Sequence, residues 1–252
     1  MSITSDLELT GMQKVSDAVA ETLRQMREYA QPGMNTAELD AFGGKLLTAF
    51  GAKSAPRETY GFPGWTCISL NHEIAHGIPS SNKIMQEGDL VNIDVSAELN
   101  GFWSDNGGSF VLGKDVKGHL ALVEASKKIL NLAISQIKGG VKIAEIGKLI
   151  EKEAAKKGYR VIRNLVGHGV GRSLHEEPTE IPNYYDRTLK TRFRKNTTVA
   201  IETFISTGAG YAKDAGDGWT FITGDSSYVA QHEHTILVTE QEALILTAAN
   251  GI

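Results

Sequence analysis

Apolar residues near the start of the chain recur every three or four positions. Leu9, Met12, Val15, Val19, Leu23 and Met26 form one stripe, which predicts a helix from Leu7 to Ala30 ended by Pro32-Gly33. Asn35 or Thr36 can cap a second helix, with Glu38 and Asp40 in its first turn and Leu39, Phe42, Leu46 and Phe50 on its apolar side. The same period predicts helices over Val116–Lys138 and Ile143–Lys157, the latter stopped by Gly158. Strand patterns cover Thr66–Leu70, Leu90–Glu98, Gly101–Leu112, Tyr159–Ile162, Val199–Ser206, Gly218–Thr223 and His234–Thr239. The helices are not inserted singly between strands, so the expected class is α+β. No break in composition marks a boundary, and residues 1–252 are read as a single domain.

Composition narrows the function classes. The 252 residues carry 26 basic and 30 acidic side chains, a net charge of −4, so nothing in the global charge attracts nucleic acid or anionic lipid. There is no apolar run long enough to span a membrane, and Met1-Ser2-Ile3-Thr4-Ser5-Asp6 lacks the features of a signal peptide. Cys67 is the single cysteine, which excludes an internal disulfide and a Cys-based zinc finger and fits a reducing cytoplasm.

Chemistry first shows in the hairpin. An Asn100-Gly101 turn sets Asp94 opposite position 107 and leaves Asp105 one diagonal step away on the same face. Two carboxylates there either line a solvated hairpin face or share a cation.

Further along, Gly167-His168-Gly169-Val170-Gly171-Arg172 lacks the spacing of a phosphate-binding loop. Glycines on both sides of His168 permit close backbone approach, suited to an imidazole aimed into a site or to an ordinary turn. In His175-Glu176-Glu177-Pro178 the glutamates read as a solvated turn, and His175 is the functional candidate. Glu202 and Glu233 each interrupt an apolar strand, where a carboxylate either faces solvent on an edge or has a partner. Two such glutamates together with the aspartate pair make one cation-binding cluster the economical account.

His72-Glu73-Ile74-Ala75-His76 matches the zinc-protease pattern literally. That pattern needs a helix to put both imidazoles on one face, and this stretch lies between a strand and Gly77-Ile78-Pro79. His76 stays a candidate on its own, and His72 is incidental.

With these residues assembled, the chain resembles the type I methionine aminopeptidases. The matching stretches are Phe62-Pro63-Gly64-Trp65-Thr66-Cys67-Ile68-Ser69-Leu70-Asn71, Ala75-His76-Gly77-Ile78-Pro79-Ser80, Gly88-Asp89-Leu90-Val91-Asn92-Ile93-Asp94-Val95, Gly167-His168-Gly169-Val170-Gly171-Arg172 with His175-Glu176-Glu177-Pro178, Ala200-Ile201-Glu202, Gly216-Asp217-Gly218-Trp219 and Ala230-Gln231-His232-Glu233-His234-Thr235. They run in order across nearly the whole chain. The resemblance implies a pita-bread fold, two pseudo-symmetric halves around a central antiparallel sheet. It implies that Asp94, Asp105, His168, Glu202 and Glu233 hold two divalent ions, with Mn, Fe or Co preferred by the oxygen-rich ligand set and Zn acceptable. It implies that His76 and His175 meet the substrate, and that Phe62, Cys67 and Trp219 shape the methionine pocket. The implied activity is removal of the initiator methionine when the second residue is small, through a water activated between the ions. The implied partners are nascent chains, met in passing at the ribosome by a cytoplasmic monomer.

Four positions depart from the family's usual pattern: His72, Asn106 after Asp105, Leu174, and Thr203 after Glu202. Thr203 and Asn106 adjoin expected ligands, so they are expected to tune ion affinity and rate. The short gap between His168 and Glu202 argues against the type II form. With no module ahead of the first helix, a proline-specific peptidase of the same fold is the weaker alternative. A binding module that lost its metals is another, and it would be free to lose ligands that are all present here.

Overall fold

The computed structural model describes all 252 residues, Met1–Ile252. Its helices are α1 (Asp6–Tyr29), α2 (Thr36–Ala49), α3 (Ala55–Tyr60), α4 (Leu120–Ser135) and α5 (Ile143–Lys156). Its strands are β1 (Lys53–Ser54), β2 (Cys67–Leu70), β3 (Glu73–Ala75), β4 (Leu90–Leu99), β5 (Phe102–Val111), β6 (Arg160–Val161), β7 (Gly167–Gly169), β8 (Glu176–Ile181), β9 (Thr198–Ser206), β10 (Ala212–Asp214), β11 (Phe221–Thr223), β12 (Val229–Leu237) and β13 (Leu244–Ile245).

The main sheet is antiparallel and runs β1-β4-β5-β12-β9-β7-β8, with β2 beside β4, β6 beside β9 and β13 beside β12. Two long pairs dominate it, β4–β5 in the first half and β9–β12 in the second, joined where β5 meets β12. Helices cover the back of each half. Met12, Val15, Leu23 and Met26 of α1 pack with Ile68, Val91, Ile93 and Val95, while Leu130, Ile134, Ile146 and Ile150 of α4 and α5 pack with Val199, Ile201, Ile205 and Ile236. Alternation along each strand then leaves Asp94, Asp105, Glu202 and Glu233 on the front. A small sheet, β10-β11-β3, lies apart from the main one.

The helix ends follow their chemistry. Asn35 caps α2 and forms a reciprocal box with Glu38. The third predicted helix starts later than expected, at Leu120, because Asp115 accepts from His119 N and Leu120 N and Gly118 turns left-handed. The strand expected from His234 begins at Val229. Every residue from Val229 to Leu237 is buried, so the polar run Gln231-His232-Glu233-His234 hides the alternation. The solvated turn read at Glu176-Glu177 is instead the start of β8, paired with β7. The expected strand from Gly218 is shorter, because Asp217 accepts from Trp219 N and Thr220 N and holds a turn there.

Candidate active site

One cleft on the front of the sheet is lined by all ten of the expected residues: Phe62, Cys67, His76, Asp94, Asp105, His168, His175, Glu202, Trp219 and Glu233. Pro56, Tyr60, Ser96 and Leu174 complete the lining. The hairpin has the predicted register, with Asp94 opposite Gly107 and Asp105 opposite Ser96, and both carboxyls line the same cleft. The face is not solvated: Asp105 is 7% exposed. Glu202 and Glu233 stand directly opposite each other on β9 and β12, in the sheet interior rather than on an edge. Like charges directly opposite are destabilising, so this pair calls for a cation.

His168 comes in from β7, which pairs with β9 through His168 and Ala200. A Cβ on Gly169 would lie 2.4 Å from the Glu177 carbonyl oxygen, so only glycine lets the strands approach this far. His168 Nδ1 donates to the Gly169 carbonyl at 3.0 Å, which leaves the Nε2 lone pair directed at Asp105 Oδ2, 3.8 Å away. One ligand atom from each of Asp105, His168 and Glu233 fits within 4.8 Å of the others. Asp105 Oδ1 and Glu233 Oε1 are buried and have no hydrogen-bond partner. Orphaned carboxylate oxygens around a neutral imidazole are the donor set a divalent ion takes, so the residues present fit the implied ions.

The electrostatics agree. Burial pushes the Asp105 carboxyl up to about 6, and burial followed by repulsion from Asp105, Glu202 and Asp94 lifts Glu233 well above the carboxylate range. Asp94 and Glu202 are raised in the same direction by desolvation and by Asp105, but both still meet the cleft. Burial holds His168 at about 3, so it stays neutral.

These shifts predict a pH-dependent cost in the ion-free protein. A carboxyl whose folded pKa lies above its unfolded value stabilises the fold while protonated, and that stability is lost as pH rises through the folded pKa. Asp105→Asn removes this contribution. In chelator, the melting temperature of Asp105→Asn should rise relative to the parent from pH 4 upward and level off once pH has passed the Asp105 value of about 6. The gap should be of order 1–3 kcal/mol, or about 2–4 °C for each kcal/mol. A gap that shrinks with rising pH would refute this origin of the strain.

Side chains around the carboxylates fix their directions. Gln231 Nε2 donates to Glu233 Oε2 at 3.0 Å, and Gln231 Oε1 accepts from Asn92 Nδ2 at 2.7 Å. Gly107 makes the space, since a Cβ there would lie 2.5 Å from Gln231 Oε1. Thr235 Oγ1 accepts from Asp105 N at 3.0 Å and donates to Asp105 O at 2.7 Å.

Thr203 and Asn106, expected to bear on ion affinity and rate from beside the ligands, do not reach the cleft themselves. Strand alternation turns both away from the cleft. Thr203 lies 3.3 Å from Ser126 Oγ on α4, and Asn106 Nδ2 donates to the Val95 carbonyl. His72 is outside the cleft and stacks on Tyr228, as the strand-like context of the His-Glu-x-x-His run implied.

The rest of the cleft is apolar or imidazole. Phe62 and Trp219 meet edge to face with centroids 5.2 Å apart, above the buried Cys67. Burial and then Asp94 push the Cys67 thiol well up, so it stays protonated and serves as wall. His76 takes φ +53°, a left-handed conformation that costs about 1–2 kcal/mol, and still opens onto the cleft. His175 stacks on His168 at 4.1 Å between centroids, and its Nδ1 lies 2.7 Å from the Tyr60 hydroxyl. Sequence reasoning missed Tyr60. Its one signal was position, two residues before Phe62 at the end of a short helix.

The comparisons with known proteins point the same way. Residues 10–240 match the model of metallopeptidase family M24. Methionine aminopeptidase 2 of Bacillus subtilis is 49% identical over 247 residues, covering 98% of this chain and 99% of that one. A crystal structure of methionine aminopeptidase from Thermotoga maritima superposes with a TM-score of 0.93 at 36% identity, covering 98% of this chain and 99% of that chain. The prolidase of Pyrococcus furiosus, at 23% identity and a TM-score of 0.77, shares the fold and covers 97% of this chain and 65% of its own. The architecture is the expected pita-bread fold.

Proposed function

The chain belongs to metallopeptidase family M24, and on that footing we propose how its cleft works. It is a hydrolase that removes the N-terminal methionine of peptides. The observation that carries the reading is the convergence of Asp94, Asp105, His168, Glu202 and Glu233 on one cleft with orphaned carboxylate oxygens. These five side chains hold two divalent ions, with Mn, Fe or Co suited to four carboxylates and one imidazole, and Zn accommodated. Bound there, such ions would supply an activated water and polarise the scissile carbonyl.

The chain's own residues do the rest. Phe62, Cys67 and Trp219 receive the unbranched thioether of methionine, and the aromatic pair offers its rings to the sulfur. Leu174 and Tyr60 narrow the cleft and favour a small second residue. Glu202, open to the cleft, takes the proton from the attacking water and delivers it to the departing amine. With the Tyr60 hydroxyl donating to Nδ1, neutral His175 carries its proton on Nε2 and can donate to the oxygen where charge develops. His76 holds the substrate from its strained position. The substrate is the free amino terminus of new polypeptides in the cytoplasm, met near the ribosome. The catalytic unit is one domain spanning 1–252, acting as a monomer. No helix is long and apolar enough to cross a membrane, and Cys67 is a free thiol.

The test is methionine release from Met-Ala-Ser and Met-Leu-Ser, with an Ala-Pro peptide as control, and Mn, Fe, Co and Zn supplied separately. Release from Met-Ala-Ser with at least one ion is expected, with little from Met-Leu-Ser. Cleavage of Ala-Pro in preference, or no release with any ion, would overturn the reading.

A further inference from the structure

The strands that carry Asp105 and Glu233 are poorly joined. Only His232 and Gly108 pair between β12 and β5. Continuing that register would set Asp105 beside Thr235 and Asn106 beside His234. On the cleft side, the Thr235 hydroxyl takes over the main-chain bonding of Asp105. On the far side the gap is filled from a distant segment. Asn250, in the 3-10 turn Ala248–Asn250, sends Nδ2 to within 2.9 Å of Asn106 Oδ1 on β5 and 3.4 Å of His234 Nδ1 on β12.

Each end of this bridge is anchored. Asn106 Nδ2 donates to the Val95 carbonyl on β4 at 2.9 Å, one residue from Asp94. His234 Nδ1 also pairs with Thr247 Oγ1 at 2.9 Å. Asn250 is fully buried, its carbonyl accepts from Arg27 Nη1, and its Oδ1 accepts from Ile252 N. Asn106 and His234 are the immediate neighbours of Asp105 and Glu233, so a shift at the bridge moves those two carboxylates relative to each other.

We propose that Asn250 is a positioning residue for the ion site: it ties β5 to β12 from behind and sets the spacing between Asp105 and Glu233. The inference rests on reading the cleft as a divalent-ion site. It also gives the unusual Asn106 a function, as the acceptor for Asn250.

The test is calorimetric titration with Co²⁺ of the parent, Asn250→Ala, Asn106→Ala and the double variant, together with the visible absorption of each cobalt-loaded protein. Removing Asn250 should weaken cobalt binding about tenfold and shift the absorption bands, as loss of a group that orients a ligand does. The KM for a methionyl peptide should stay unchanged while kcat falls. The double variant should bind no more weakly than either single one, because each breaks the same bridge. If Asn250→Ala fails to fold, Asn106→Ala decides the matter, since it removes the β5 end and leaves the turn in place. Unchanged cobalt affinity and spectrum in a folded variant, with only the melting temperature lowered, would overturn the proposal. Failure of the parent to bind cobalt would overturn the ion-site reading instead, and this inference with it.

Discussion

Replacing Glu202 with glutamine should abolish methionine release, with a fall of ~10³-fold or more from the combined loss of an ion ligand and a proton acceptor. The change is nearly isosteric, so the fold should survive. Its effect on stability should reverse with ion content. Glu202 faces Glu233 across β9 and β12, with Asp94 and Asp105 on the same face. In chelator, neutralising one of these carboxylates relieves repulsion, and the variant should melt above the parent. In excess Mn²⁺ the parent should gain more and overtake it, because ligand binding stabilises only the state that binds. Asp94→Ala should show the same loss of activity. Full activity in either variant would end the assignment of the site, and a variant that melts lower than the parent in chelator would remove its electrostatic basis.

His175→Ala should lower kcat by ~10²–10⁴-fold while leaving calorimetric Mn²⁺ affinity unchanged. The geometry separates these quantities. His175 stacks against His168, and its Nδ1 is engaged by the Tyr60 hydroxyl rather than by the carboxylate cluster. Tyr60→Phe should give a smaller fall in the same constant, since it frees the ring without removing it. A His175→Ala enzyme with normal kcat and a raised KM would show that the imidazole only binds substrate. Loss of Mn²⁺ affinity would show that it supports His168.

The site was more legible in the sequence than the fold around it. A two-residue turn and a period of two fix the relation of Asp94 to Asp105, and both are local facts. The His-Glu-x-x-His run could be dismissed for the same kind of reason, since Gly77 and Pro79 forbid the helix it needs. Long-range pairing was not legible. Nothing near Glu202 in sequence reveals that Glu233 stands opposite it, and a strand buried on both faces, as at Val229–Leu237, has no alternation to read. Thr203 and Asn106 show a subtler limit. Adjacency in sequence suggested influence on the ions, but successive strand residues point to opposite faces, so any such influence has to act through contacts behind the sheet, to Ser126 for Thr203 and to Asn250 for Asn106. Asn250 escaped notice because its partners come from two distant strands.

The two acidic pairs come from different halves of the molecule, Asp94 and Asp105 from the β4–β5 hairpin and Glu202 and Glu233 from β9 and β12. Neither half carries all four carboxylates that the cleft brings together. A chain cut between the halves would leave two of the four anions on each piece, so the repulsion across β9, β12 and the hairpin would arise only when the pieces docked.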